Sequence, residues 1–105
     1  MESITPEQLK QRMDAGDGPK MLDVREPWEF EICRIEGSVN IPMAELGGRF
    51  GELEHGSEIV VICHHGMRSR QVAEYMESIG FPHVVNLEGG VDAWAQSVDE
   101  DMQQY

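Results

Sequence analysis

Residues 58–69 read EIVVICHHGMRS, the clearest strand of the sequence together with the loop that follows it. The run EIVVI is β-branched and almost wholly apolar, which is typical of a strand that is covered on both faces of a sheet. A short polar loop begins at Cys63, and apolar residues then recur at helical spacing between Val72 and Ile79. A buried strand, a loop and a helix in this order indicate one unit of an α/β fold.

The same alternation extends outward through the rest of the chain. Short apolar runs predict further strands over 21–24, 38–41 and 84–87. Helical patterns predict helices from position 6, over 27–30, over 43–53, over 69–79 and after the glycine pair at 89–90. Strands that alternate with helices predict a mainly parallel sheet, in which ligands bind beyond the carboxyl ends of the strands. Cys63 lies at one of those ends.

Local signals define some helix ends better than others. Thr5 suits the cap of the first helix, Pro6 suits its first position, and Gln8 completes a capping box with Thr5. Gly80 suits the left-handed position that follows the helix at 69–79. The segment 43–53 is the weakest helix, because three of its residues are glycines.

The charge of the chain limits its partners. The 105 residues include 20 acidic and 8 basic side chains, which gives a formal net charge of −12. Such a surface repels phosphate backbones and anionic membranes, so we expect neither nucleic acid nor a membrane as a partner. A small anion remains an acceptable ligand, because a local cradle of backbone amides outweighs the global field at short range.

Length and composition predict one domain that spans residues 1–105, in which the acidic segment 99–105 is a frayed tail. No apolar run approaches the ~20 residues of a membrane helix, and the first residues do not resemble a secretory signal. We therefore expect a cytoplasmic protein, and we expect it to be a monomer.

The loop at 63–69 has the composition of an anion site built around a reactive thiol. If the loop curls around Cys63, several backbone N–H groups point inward, and the positive end of the following helix reinforces them. Gly66 takes positive φ without steric cost, and Arg68 adds a fixed cation. These features favour thiolate over thiol, so the sequence predicts a nucleophile at Cys63. The expected binding residues around it are His64, His65, Gly66, Met67, Arg68 and Ser69.

Structural interpretations of the same residues compete with this hypothesis. Cys63 could be an inert buried cysteine that ends a strand, and only the loop after it argues otherwise. His64 and His65 could bind a metal with Cys63, but adjacent residues rarely converge on one ion, so we expect no metal and no cofactor. We place the two histidines at the rim of the loop, where protonation would help to attract anions.

The loop has the form Cys-x-x-Gly-x-Arg, and further motifs surround it in a fixed order. Leu22-Asp23-Val24-Arg25 precede it, and Leu87-Glu88-Gly89-Gly90 follow it. The other matching residues are Glu29, Phe30, Ile35, Gly37, Asn40, Ile41, Pro42 and Trp94. In this order and spacing, the set resembles the rhodanese family over residues 4–94. The chain departs from the pattern at Cys33-Arg34, where many relatives carry Gly-His.

The resemblance implies a rhodanese-like three-layer α/β sandwich, with a central five-stranded parallel sheet flanked by helices. It also implies a sulfurtransferase, which moves a sulfane sulfur from thiosulfate or a similar small anionic donor to cyanide, a thiol or an acceptor protein. Cys63 would hold the sulfur as a persulfide, and the loop amides would stabilise its charge. Arg68 would attract the anionic donor.

Three residues outside the loop have two interpretations each. Arg25 either contacts the substrate or pairs with Glu29 or another acid, and the planar guanidinium favours pairing. Asp23 could have either of these two roles. Cys33 could resolve the persulfide of Cys63 as a disulfide, although a lone half-buried cysteine is the more common situation.

Rival functions differ from this one in specific ways. A sulfur-relay subunit differs only in its acceptor, which the sequence does not identify. A non-catalytic regulatory binding module is disfavoured, because Cys63, Gly66 and Arg68 are all present. A cysteine phosphatase or arsenate reductase is disfavoured, because such phosphatases close a longer loop between their cysteine and arginine.

Overall fold

The computed structural model describes residues 1–105 and has an all-parallel sheet at its centre. Its five strands are β1 (Glu2–Ile4), β2 (Lys20–Asp23), β3 (Val39–Asn40), β4 (Ile59–Ile62) and β5 (Val84–Leu87). They lie in the order β1-β5-β4-β2-β3, so β4 is the central strand. In register, Val61 of β4 is flanked by Leu22 of β2 and Asn86 of β5. The predicted five-stranded parallel sheet is confirmed.

Helices cover the sheet on both faces. The α-helices are α1 (Pro6–Asp14), α2 (Pro27–Ile32), α3 (Met67–Ser78) and α4 (Gly90–Ser97), and two short 3₁₀ helices span Met43–Gly48 and Phe50–Glu52. None of the helices combines the length and the apolar character that crossing a bilayer requires.

Two apolar clusters hold these layers together, one on each face of the sheet. Successive residues of a strand point to opposite faces, so neighbouring residues of β4 enter different clusters. Val61 packs in the cluster that contains Met76 of α3. Ile62 packs in the cluster that contains Leu9 of α1 and Trp94 of α4. The three-layer α/β sandwich is therefore confirmed.

The helix ends follow most of the predicted signals. Thr5 Oγ1 accepts a hydrogen bond from the Gln8 amide at 3.2 Å, and the Gln8 side chain accepts one from the Thr5 amide at 3.0 Å. Helix α3 starts at Met67, slightly before the predicted start, because Gly66 with a φ of +96° serves as its N-cap. Gly80, with a φ of +107°, follows the end of α3 as predicted.

Two secondary-structure predictions are wrong. The segment 43–53 forms 3₁₀ turns instead of one α-helix, since its glycines disfavour a regular helix. The sequence analysis predicted no strand at Glu2–Ile4, because this short edge strand buries only Ile4 and has no apolar run. Pairing with β5 forms this strand, in a register that places Ile4 beside Leu87.

The last residue of the chain is held in place. The hydroxyl of Tyr105 accepts a hydrogen bond from Arg25 Nη1 at 2.9 Å and donates one to Glu29 Oε2 at 2.7 Å. The predicted frayed tail over 99–105 thus includes one side chain that contacts the folded domain. The reason is that an aromatic side chain with a polar tip finds partners that are distant in sequence.

The start of α4 determines the position of the loop that follows β4. The amides of Val91 and Asp92 donate hydrogen bonds to the carbonyl oxygens of Cys63 and His64, at 2.9 and 3.0 Å. Gly90 permits this close approach, since a Cβ at this position would lie 2.3 Å from the Cys63 oxygen. The geometry around Cys63 thus depends on the absence of one side chain.

We expect Gly90→Ala to lower the free energy of unfolding by about 3 kcal/mol, because the added methyl group collides with backbone atoms. The φ of +59° at this position adds strain for any residue with a Cβ. Urea unfolding measures the effect. Gly47→Ala is the matched control, because no atom lies within 4 Å of a Cβ there, and it should leave stability nearly unchanged. Equal effects of the two substitutions would contradict this account.

Candidate active site

Cys63 directly follows β4 and is buried, with 1% of its surface exposed. Its Sγ accepts a hydrogen bond from the Gly66 amide at 3.0 Å and lies 3.3 Å from the hydroxyl oxygen of Ser69. The first turn of α3 therefore contacts the sulfur. Backbone amides and the positive end of a helix both stabilise negative charge at such a position.

The loop 63–69 curls around Cys63 as predicted, but fewer amides reach the sulfur than predicted. Gly66 has the expected positive φ, and a Cβ at this position would lie 3.0 Å from the Gly89 nitrogen. The amide of Gly66 is the backbone donor to Sγ. The amides of Met67, Arg68 and Ser69 open α3, so they have no acceptor within the helix. They are available to an atom bound beyond Sγ.

Ser69 and Asn86 form a buried polar pair beside the sulfur. The Ser69 hydroxyl hydrogen-bonds Asn86 Oδ1 as well as Cys63 Sγ. Asn86 Nδ2 donates to the carbonyl oxygen of Gly66 at 3.2 Å, which stabilises the turn. A hydroxyl has one proton, so Ser69 donates either to Asn86 or to the sulfur. It can accept from a thiol at Cys63 and can donate to a thiolate.

Arg68 is held in place by Glu29. Its Nη1 and Nη2 atoms donate to the two carboxylate oxygens at 2.8 and 2.9 Å, and the Glu29 side chain is 5% exposed. Hydrogen bonding from Arg68 lowers the pKa of Glu29 to about 2, although burial opposes the shift. The same hydrogen bonds raise the pKa of Arg68. Because Glu29 neutralises the guanidinium, Arg68 attracts an anion less strongly than the sequence analysis predicted.

Asp23 and Arg25 are part of the buried framework of the site. Both side chains are fully buried, and Arg25 Nη2 lies 2.7 Å from Asp23 Oδ2. Arg25 also donates to the carbonyl oxygens of Glu29 at 3.2 Å and Cys33 at 2.6 Å. The favoured interpretation of Arg25 as a pairing residue is confirmed. Its ionic partner is Asp23, because the Glu29 carboxylate is engaged by Arg68.

The two histidines lie on the rim of the loop. The rings of His64 and His65 stack with their centroids 3.9 Å apart, and His65 is exposed. Burial lowers the pKa of His64, and the charge of His65 acts in the same direction. A lowered pKa makes His64 a weaker attractor of anions than the protonated histidine that the sequence analysis described.

One group of side chains near the loop has metal-binding atoms. Ring nitrogens of His64 and His65 and a carboxylate oxygen of Asp92 lie within 4.8 Å of one another. An imidazole binds a metal along a nitrogen lone pair, which lies in the plane of the ring. The two rings are inclined by only 29° and are stacked, so their lone pairs do not converge on one ion. This arrangement does not fit a metal.

Met67 is exposed, whereas Cys33 is half-buried. Met67 is 76% exposed and lies on the outer rim of the loop. Cys33 packs against the cluster on the α1 and α4 face of the sheet, whereas Cys63 belongs to the cluster on the α3 face. The Sγ atom of Cys33 lies 3.8 Å from Arg25 Nη1. Neither cysteine forms a disulfide.

Sequence analysis missed two residues of this site. Asn86 is the polar residue within the otherwise apolar run VVNL, and a buried polar residue in a strand is a signal that could have identified it. Tyr105 reaches Arg25 and Glu29 over sequence separations of 80 and 76 positions. No local pattern predicts a contact of that kind.

Comparison with known proteins agrees with the geometry. A family model described as "Rhodanese-like domain" matches residues 5–97. The putative sulfur carrier protein YrkF of Bacillus subtilis (strain 168) is 41% identical over 91 residues, which cover 87% of this chain and 49% of YrkF. The putative sulfurtransferase YtwF of the same strain is 35% identical over 90% of each chain. The crystal structure of SSP1007 from Staphylococcus saprophyticus is 33% identical with a TM-score of 0.86, and covers 99% of this chain and 100% of SSP1007.

The extent of these matches differs between the relatives. The chain spans about half the length of YrkF, whereas it matches nearly the whole of YtwF and SSP1007. The matched residues 5–97 include Cys63, the loop around it and the partners Glu29 and Asn86. The chain belongs to the rhodanese-like domain family.

Proposed function

We propose that this domain is a sulfurtransferase in which Cys63 carries a sulfane sulfur as a persulfide. The position of Sγ is the observation that supports this most strongly. It lies at the carboxyl end of β4, accepts a hydrogen bond from the Gly66 amide and borders the first turn of α3. A second sulfur bound to Sγ would meet the amides of Met67, Arg68 and Ser69, which have no acceptor within the helix.

The proposed reaction consists of two displacements at sulfur. In the first, the Cys63 thiolate attacks the outer sulfur of thiosulfate or a similar donor. A new S–S bond forms, and the S–S bond of thiosulfate breaks as sulfite leaves with the electron pair. In the second, a nucleophile such as cyanide or a thiol attacks the outer sulfur of the persulfide, and the Cys63 thiolate leaves. The electrons balance without an external oxidant or reductant.

Neighbouring side chains have separate roles in this scheme. When Cys63 is a thiolate, Ser69 can donate its hydroxyl proton to the sulfur, and Asn86 Nδ2 keeps the Gly66 carbonyl in position. Arg68 is a positioning residue, because its bidentate pair with Glu29 joins the first turn of α3 to α2. The loop of four residues between Cys63 and Arg68 suits one sulfur atom better than a tetrahedral phosphate.

An acceptor protein is the second candidate for the receiving partner. The relative YrkF is named as a putative sulfur carrier protein. The net charge of −12 favours a partner with a basic surface and repels small anionic donors at long range. A relay between proteins uses the same persulfide and differs only in the nucleophile of the second step.

We expect incubation with thiosulfate to add the mass of one sulfur atom to the chain, and cyanide to remove it as thiocyanate. Intact-mass spectrometry measures both steps. Cys63→Ser should abolish the gain, and the matched control Cys33→Ser should retain it. Fast thiocyanate turnover would support a thiosulfate:cyanide enzyme, whereas a stable adduct with slow turnover would support a relay. A full gain in Cys63→Ser, or none in the unmodified protein, would contradict the proposal and leave a binding module.

We expect Arg68→Lys to lower kcat/KM for thiosulfate by about tenfold, because lysine cannot form the bidentate pair with Glu29. Steady-state thiocyanate formation measures this. Arg70→Lys is the control, because Arg70 is exposed and makes only a surface pair with Glu74. No loss in Arg68→Lys, or an equal loss in the control, would contradict a positioning role for the pair between Arg68 and Glu29.

We expect Glu29→Gln to remove part of the acid sensitivity of the fold. The pKa of Glu29 is about 2 in the folded state and about 4.5 in an unfolded chain, so its ionised form is stabilised by folding. Its contribution to stability is fully present above pH ~4.5 and is lost as the pH falls towards ~2. Urea unfolding between pH 7 and 3 should therefore show a shallower decline in Glu29→Gln. The exposed Glu36→Gln control should decline as the unmodified protein does.

A further inference from the structure

Tyr105 joins two ion pairs that flank the sulfur site. Its hydroxyl oxygen accepts a hydrogen bond from Arg25 Nη1 at 2.9 Å and donates one to Glu29 Oε2 at 2.7 Å. Burial raises the pKa of this hydroxyl to about 12, so it keeps the proton that it donates. Arg25 belongs to the pair with Asp23, and Glu29 to the pair with Arg68, so Tyr105 connects both.

The ring of Tyr105 lies between the Cys63 loop and α2. It is nearly parallel to the ring of His64, with the centroids 3.9 Å apart and an interplanar angle of 10°. It also meets Trp28 edge-on, with the centroids 6.0 Å apart. His64 directly follows Cys63, and Trp28 is the second residue of α2, so one side chain spans the gap between the two elements.

This packing closes the side of the loop that faces α2, whereas a cavity of about 420 Å³ borders His65, Gly66 and Met67 elsewhere on the loop. The cleft between Cys33, His64 and Tyr105 is too small for a water molecule, and Cys63 is 1% exposed. A nucleophile must approach a sulfur in line with the bond that breaks, so a bulky acceptor needs room at the loop. An acceptor that approaches from the side of α2 therefore needs the ring of Tyr105 to move.

We propose that Tyr105 is a specificity-determining residue, whose ring covers the α2 side of the Cys63 loop and restricts bulky acceptors more than small ones. This inference rests on the proposed function. Because it concerns access to the Cys63 thiol, it can be measured without sulfur transfer. Its stacking on His64 and its two hydrogen bonds hold the ring over the rim. On this side of the loop, acceptors of peptide size require the ring to move, whereas cyanide does not.

The test compares alkylation of Cys63 by iodoacetamide, a small reagent, and by a bulky maleimide. All variants carry Cys33→Ser, so that modification reports on one thiol. We expect Tyr105→Ala to raise the rate with the bulky reagent by about tenfold and the rate with iodoacetamide by less than about twofold. Tyr105→Phe keeps the ring and should keep the slow bulky reaction. Tyr75→Ala is the control, because Tyr75 is an exposed tyrosine that packs on Phe50 of the other face.

The outcomes separate this inference from the proposed function. Equal rates in Tyr105→Ala and the parent would overturn the inference, and so would a uniform rise with both reagents. If Tyr105→Ala does not fold, Tyr105→Leu retains apolar bulk and should give an intermediate rise with the maleimide. A selective rise in a protein that takes no sulfur from thiosulfate would support the access role and reject the sulfurtransferase. Sulfur uptake with no selective rise would support the sulfurtransferase and reject the access role of Tyr105.

Discussion

Arg25 is a buried cation, and its partners organise the carboxyl end of the sheet. Removing a guanidinium from water costs several kcal/mol unless its charge and its N–H groups are matched. Asp23 in β2 supplies the opposite charge, and the carbonyl oxygens of Glu29 and Cys33 accept further hydrogen bonds. Tyr105 accepts the remaining one. Because these partners belong to β2, α2 and the last segment of the chain, satisfying one side chain brings three distant parts of the molecule together.

Glu29 extends this arrangement to the sulfur site. Its carboxylate accepts hydrogen bonds from Arg68, from Tyr105 and from the Glu26 amide. In each ion pair the two charges neutralise each other. The pairs therefore determine where the loop lies but add little net electric field at Cys63. What remains for an anion there is a set of neutral amides at the start of α3. Those amides are well placed because α4 binds the carbonyl oxygens of Cys63 and His64 on the other side of the loop.

Local sequence patterns were sufficient for the parts of the fold that local forces determine. The apolar run of β4, the capping box at Thr5 and the positive φ of Gly66 each depend on neighbouring residues, and each was predicted. The edge strand β1 forms only because β5 is beside it, and no pattern in its own residues indicates a strand. The contacts of Tyr105 are even harder to predict from local sequence. Its contacts depend on the position of α2 and the loop, and both are products of the completed fold.

Burial of the thiol and neutralisation of Arg68 have a joint consequence for the proposed chemistry. Long-range attraction of an anionic donor is weak, since the chain has a net charge of −12 and the cation nearest the sulfur is paired. A persulfide at Cys63 would nevertheless be stabilised by amides in a place that water scarcely reaches. Exclusion of water also protects a reactive intermediate from side reactions. Under the proposed function, the same burial would slow loading by a donor and lengthen the life of the persulfide.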